Sequence, residues 1–332
     1  MALRLMAVHA HPDDESSKGA ATYAYYLNRG AEVMVVSCTS GERGSILNEQ
    51  LEARSWAERD IAGLRRHEMQ AAQAAIGFQH RWLGYADSGL PDEGDPLPVN
   101  AFAAIDIEIS VLPLVRLIRE FRPHVLLTYD ENGGYPHPDH IRCHEVSMLA
   151  YQLAADGSQH PELGASWQVS KLYYDRIFSY QRMQSIHTLL VETDPENPLL
   201  ESFTQMRRWM TESPYLATTR VPAGEYFEVR DEALLAHASQ VAPDSAFFFW
   251  PIDLQQKAWP TEDYQLVDSK VAVPDGAEEY ESDLFAGIVE SDGIVEPDGI
   301  VEPGSSVEPG SSVESGSSVE SGSSVASDGA SE

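Results

Sequence analysis
Through residues 1–180, short runs of apolar side chains alternate with longer stretches whose apolar positions recur every three or four residues. Runs of the first kind read as strands, and stretches of the second as helices. Residues 4–10 give a first strand, and residues 16–29 a helix that Gly30 can close. Residues 32–39, EVMVVSCT, are apolar and β-branched enough to be buried on both faces, as strands of a parallel sheet are. Residues 53–76 follow as a helix stopped by Gly77, with a short strand at 80–83. An amphipathic helix over 105–121 is broken at Arg122-Pro123, and residues 125–129, VLLTY, form the next buried strand. Residues 140–154 are helical, and residues 171–180 make a fifth strand. This alternation predicts an α/β fold: a Rossmann-like, mostly parallel sheet with helices on both faces and right-handed crossovers. Past residue 180 the periodicity weakens. Helices are expected at 202–211 and 231–239, an antiparallel pair within 220–229, and a smaller C-terminal lobe packed on the same sheet.

From Gly287 the pattern changes in kind. Seven hexads follow, with Val at every sixth position from Val289 to Val325. One Val in six buries too little apolar surface to offset backbone entropy, and Gly, Ser, Pro and Glu are the composition of a disordered chain. The expected division is one domain over 1–286 and an acidic, disordered low-complexity tail over 287–332. The net charge of −31 excludes nucleic acid as a partner, and the 15 acidic residues from Asp275 onward carry about half of it. No apolar run approaches the ~20 residues of a membrane span, so no membrane partner is expected. Two cysteines, Cys38 and Cys143, exclude a disulfide scaffold and a Cys-rich zinc module. With no signal-peptide pattern beside them, they point to the cytoplasm.

Open α/β sheets bind ligands beyond the carboxyl ends of their strands, where the strand order switches. The first strand ends in His9-Ala10-His11-Pro12-Asp13-Asp14-Glu15. The Gly-rich loop of a dinucleotide site is missing there, and neither a phosphate-binding Lys loop nor a Gly-x-Ser-x-Gly elbow occurs in the chain. After the strand at 125–129 comes Asp130-Glu131-Asn132-Gly133-Gly134-Tyr135-Pro136-His137-Pro138-Asp139-His140. Strands one and four adjoin in the commonest doubly wound order, which would set the two segments face to face. Helix capping accounts for one Asp per segment, but not for His11, His137 and His140 as well. Three nitrogen or oxygen ligands with an open position form the usual catalytic zinc site. Spacing alone leaves open which of Asp13 and Asp14 would bind the metal.

The paired segments, His11-Pro12-Asp13-Asp14-Glu15 and His137-Pro138-Asp139-His140, resemble those of the LmbE-like family of zinc-dependent N-acetylglucosamine deacetylases. The similarity extends through Gly41-Glu42-Arg43-Gly44, Arg65-Arg66-His67-Glu68 and Asp87-Ser88-Gly89, covers about residues 3–250 and omits the tail. It is greatest to the branch that acts on mycothiol S-conjugates, through Ser16-Ser17-Lys18-Gly19, Cys38-Thr39-Ser40 and Ser45-Ile46-Leu47-Asn48. The resemblance implies one Zn2+ per chain on His11, Asp14 and His140, with Asp13 as general base. It implies that His137 stabilises the oxyanion and protonates the leaving amine, that Tyr135 closes over the carbonyl, and that Asp139 orients an imidazole. The activity implied is hydrolysis of the cysteinyl–glucosamine amide of a small-molecule mycothiol S-conjugate, giving an N-acetylcysteine conjugate and glucosaminyl-inositol in detoxification. The alternative within the family is deacetylation of N-acetylglucosaminyl-inositol. A non-catalytic sugar- or metal-binding protein would need neither Asp13 nor His137.

Lys18, one helical turn after Asp14, is expected to meet the acyl group of the substrate. Arg65 and Asp87 match family positions at the inositol–sugar end, and Glu42 is a candidate for a sugar hydroxyl. His67, His80, His187 and His237 have no partner pattern and are expected to be structural. Cys143, Trp209, Trp250 and residues 247–249 read as core.

Overall fold
A computed structural model describes residues 2–92, 94–207, 214–272 and 279–288. In chain order the elements are β1 Arg4–His9, α1 Asp14–Ser17, α2 Ala20–Leu27, β2 Glu32–Thr39, α3 Arg54–Ile76, β3 Gln79–Tyr85, α4 Ile107–Ser110, α5 Leu112–Phe121, β4 Val125–Thr128, α6 Pro138–Ala155, β5 Lys171–Asp175, α7 Tyr180–Thr193, α8 Leu199–Arg207, β6 Thr219–Val221, α9 Phe227–Ala236, α10 Ile252–Ala258 and β7 Glu262–Ser269. The hexads from 289 onward and Trp209 lie outside the described residues, as does the end of the helix expected at 202–211.

The strands form one sheet in the order β3-β2-β1-β4-β5-β7-β6. The first five are parallel, and β7 and β6 add antiparallel pairs at one edge. The sheet is buried on both faces because alternate side chains of each central strand feed different cores. Leu5, Ala7, Val33 and Val35 pack under Tyr23 of α2, Met69 of α3 and Phe227 of α9. Met6, Val8, Val36 and Leu126 pack against Val115 and Ile118 of α5 and Val146 and Ala150 of α6. Two-sided burial is why these strands read as unbroken apolar runs.

Several expectations need correction. The helix over 16–29 is two helices. Gly19, at φ +147°, breaks it, and a Cβ there would lie 2.4 Å from the Tyr23 hydroxyl, which reaches past Gly19 to His9. The expected strand at 171–180 stops at Asp175, and residues 180–193 are helix α7. Within 220–229 only the end of β6 is strand, and its antiparallel partner is β7, forty residues on; Phe227 begins α9. A distant partner decides β6, so local periodicity was a poor guide to it, whereas α7 begins at a local cap, the Ser179 side chain accepting the Arg182 amide at 3.2 Å.

One long-range device fixes the helix that carries half of the chemistry. Arg119 of α5 is buried and donates to the carbonyls of Leu153 and Ala154 in the last turn of α6 and to those of Asp156, Gln159 and His160 in the segment that follows it. A planar guanidinium with five donors can do this; an ammonium with three cannot. Arg119→Lys should therefore lower stability by about 2–3 kcal/mol, a melting-point drop of roughly 4–12 °C for a body of this size. Differential scanning calorimetry checks this, and an unchanged melting point would refute the capping role.

Candidate metal centre and active site
The two His-Pro-Asp segments do meet. β1 and β4 are neighbours, and β1 is the strand from which the chain winds outward both ways, so the crevice at their carboxyl ends is the sheet's switch point. The loop after β1 supplies His11, Asp13 and Asp14. The loop after β4 and the start of α6 supply Tyr135, His137, Asp139 and His140.

At the centre, the tautomers of two imidazoles are set from behind. His140 Nδ1 lies 2.9 Å from the Gly133 carbonyl, so Nδ1 donates and Nε2 keeps its lone pair. Gly133 is needed for that approach, since at φ +69° a Cβ would stand 2.5 Å from the His140 Cβ. His11 Nε2 faces Asp139 Oδ2 and Asp87 Oδ1, each at 3.4 Å, so it carries the proton and Nδ1 the lone pair. The two lone-pair nitrogens then face each other at 3.3 Å. Asp14 Oδ2 completes a triangle, 3.6 Å from His11 Nδ1 and 3.4 Å from His140 Nε2. An ion with bonds of about 2.0–2.1 Å in tetrahedral coordination requires ligand separations of about 3.3–3.4 Å. The donor set and its spacing therefore fit a zinc-like cation. His11, His137 and Asp139 also lie close enough to share an ion. There, however, His137 Nδ1 already accepts the Asp139 amide at 3.2 Å, and the Asp139 carboxylate accepts the amides of Ser88 at 2.8 Å and Ala103 at 3.2 Å.

Electrostatics favour the same triangle. Burial opposes the Asp14 charge, but His140, Lys18 and His11 outweigh it and hold the carboxyl well below its usual range. Burial pushes His140 down to about 3, keeping its ring neutral and able to ligate. For His11, burial is outweighed by hydrogen bonds with Asp139, Asp14 and Asp87, which raise its pKa, so a bound cation would take the place of a proton on Nδ1. Three carboxylates around one imidazole make a strongly cation-seeking site.

Asp13 stands beside this triangle in a left-handed conformation, φ 103°, that non-glycine residues rarely adopt. Two groups hold it there. Glu15 Oε2 accepts its amide at 2.9 Å, and Arg65 Nη2 donates to its Oδ2 at 3.1 Å while also reaching the Pro12 carbonyl and, through Nη1, that of Gly41. Oδ1 is left without a protein partner among the described residues. Burial pushes this carboxyl up, and Arg65 pulls it part of the way back. His137 is the N-cap of α6; because Nδ1 accepts a backbone amide, Nε2 carries the proton. Burial and then the nearby His11 lower its pKa. Tyr135 is 47% exposed, its ring 4.5 Å from that of His140.

Four side chains expected at substrate are engaged with protein. The Lys18 ammonium is on Asp14 Oδ1, the oxygen turned away from the triangle. Arg65 is buried beneath Asp13. Asp87 accepts the amides of Arg43 and Gly89 besides facing His11, and Glu42 accepts the Asp87 amide at 2.9 Å. Sequence reasoning expected a structural role for His237 but did not find its partner. His237 follows α9, and its Nε2 meets Glu15 Oε1 at 2.7 Å with both side chains fully buried. Nothing local marks this pair, whose members are 222 residues apart. Ser239 nearby donates from amide and hydroxyl to Glu68, 2.7 Å each, tying the same loop to α3.

Residues 6–151 match the family model described as PIG-L, GlcNAc-PI de-N-acetylase. A mycothiol S-conjugate amidase of Streptomyces coelicolor is 48% identical over 295 residues, covering 86% of this chain and 97% of that protein. A 1D-myo-inositol 2-acetamido-2-deoxy-alpha-D-glucopyranoside deacetylase of Geodermatophilus obscurus is 38% identical, covering 86% and 98%. Among solved structures, an N,N'-diacetylchitobiose deacetylase from Pyrococcus horikoshii shares the fold, with a TM-score of 0.53 at 16% identity over 80% of this chain and 84% of that one. The chain belongs to the LmbE-like, or PIG-L, family and is a hydrolase of amide bonds.

The Glu15–His237 pair is a structural hinge pin for the strained Asp13. Removing one member strands a buried charge, which typically costs about 3–5 kcal/mol. His237→Ala should lose stability on that scale in urea unfolding. A loss below about 1 kcal/mol would remove the pair from the account.

Proposed function
We propose that the protein is a zinc-dependent amidase of the cytoplasm that cleaves the cysteinyl–glucosamine amide of mycothiol S-conjugates. The observation that carries the chemistry is the triangle of His11 Nδ1, Asp14 Oδ2 and His140 Nε2, each donor oriented by its own hydrogen bonds. The 48% identity with an amidase, against 38% with a deacetylase, favours the larger acyl group.

Zinc held by His11, Asp14 and His140 would supply Lewis acidity toward a water and the scissile carbonyl. The free Oδ1 of Asp13 takes a proton from the attacking water. His137 Nε2–H donates to the developing oxyanion and then toward the leaving nitrogen. Tyr135 covers the carbonyl from the solvent side. In the balanced reaction, water and the amide give a carboxylate and an ammonium, the products being an N-acetylcysteine conjugate and glucosaminyl-inositol. Asp139 fixes the His11 tautomer. Lys18 acts through Asp14, holding its second oxygen. We place the sugar and inositol against the loops at 40–44 and 87–89, where Glu42, Asp87 and Arg65 brace the backbone.

The second reading, deacetylation of N-acetylglucosaminyl-inositol, uses the same centre on a smaller acyl group and is supported by the deacetylase relative. One assay series separates the readings. The purified protein should carry about one zinc per chain and turn over the S-conjugate with higher kcat/KM than the acetyl compound. Asp13→Ala should keep the zinc and lose ~10²–10⁴-fold in rate. Lys18→Ser should slow both substrates alike. Faster cleavage of the acetyl compound would favour the second reading, and loss of zinc from Asp13→Ala would overturn the ligand assignment.

A further inference from the structure
Beside the metal centre lies a second concavity that the chemistry above does not use. It has a volume of about 770 Å³, within the range of small-molecule sites. Ser17, the last residue of α1 and three positions after Asp14, forms part of its wall. Residues 177–180, which leave the carboxyl end of β5, form another part, so the cleft opens along the sheet edge that carries the active site. Its character is aromatic and aliphatic. Phe178 is 63% exposed and Phe247 42%, their rings 6.4 Å apart, an unusual exposure for two phenylalanines facing one another. Phe247 and Phe249, expected in the core, line this cleft, and Trp250, which also borders it, is buried as expected.

Two guanidinium groups are set into this apolar surface. Arg182 and Arg230 are both buried, both lie over the Phe227 ring, and both donate to one acceptor, Gln255 Oε1, at 3.1 and 3.2 Å. Arg230 is neutralised by Asp231. Arg182 makes no ion pair among the described residues, and burial followed by repulsion from Arg230 pushes its pKa down to about 10. A buried cation bordering an apolar cleft is costly unless an acceptor meets it.

We propose that this cleft is a subsite for an aromatic group carried on the acyl side of the substrate, with Arg182 donating to an acceptor on that group. The proposal rests on the amide-hydrolase reading above and specifies it. An acyl chain leaving the metal centre past Ser17 enters the cleft, whereas a bare acetyl group ends before it. The thioether substituent of an S-conjugate is such a chain.

Calorimetry and kinetics test it on the full chain. Three substrates serve: the S-methyl, S-benzyl and S-(4-carboxybenzyl) conjugates. The unmodified protein should turn over the benzyl compound with kcat/KM at least about tenfold above the methyl one, and the carboxybenzyl compound should exceed both. Phe178→Ala combined with Phe247→Ala, both exposed positions, should erase the benzyl advantage and leave the methyl compound within about twofold. Arg182→Met should erase only the carboxyl advantage. Equal efficiencies for methyl and benzyl compounds, or a double variant that slows all three equally, would overturn the subsite. A carboxybenzyl compound no better than the benzyl one would overturn the role of Arg182. Binding of free N-acetyl-S-benzylcysteine, weakened about tenfold by the double variant, reads the cleft without turnover. A chain that binds it yet cleaves only the acetyl compound would therefore refute the amidase reading and leave the subsite standing.

Discussion
Two imidazole lone pairs and a carboxylate oxygen, all within 3.6 Å of one another, are the constraint on which the rest of this structure turns. Left to themselves, these groups repel. They are brought together because β1 and β4 are adjacent, and each is aimed by a hydrogen bond from behind: Gly133 for His140, Asp139 and Asp87 for His11, Lys18 for Asp14. A set of acceptors held this close by separate parts of the chain makes sense as a cation site. The burial that raises the price of leaving it empty also strengthens it once filled.

Around that centre the fold spends its polar interactions on holding loops. Asp13 is kept in a left-handed conformation by Glu15 and Arg65, and Glu15 in turn by His237. Lys18, Glu42, Arg65 and Asp87, expected at substrate, each also hold a protein partner. Arg65 and Asp87 each hold a reactive side chain, Asp13 and His11 respectively, and also the backbone of the loops nearby.

Much of this was legible in the sequence. The β1-to-β4 half of the fold could be read because each strand is buried on both faces and each crossover helix has its own apolar stripe. The His-Pro-Asp segments stood out because capping could not explain their imidazoles. The lobe past residue 180 was harder: β6 finds its partner in β7, forty residues on, and α7 follows a strand that stops short at Asp175. His237 carried no local signal, since its ring meets Glu15, 222 residues away in the chain. Phe247 and Phe249 were apolar enough for core, yet both also line a cleft.

The central claim is that the facing donors of β1 and β4 hold one metal ion. Anomalous diffraction at the zinc absorption edge, from crystals of the protein grown with zinc, tests it most directly. The account predicts a single strong peak within bonding distance, about 2.0–2.2 Å, of His11 Nδ1, Asp14 Oδ2 and His140 Nε2. A peak bound instead by His137 and Asp139, or no peak at the triangle, would contradict it.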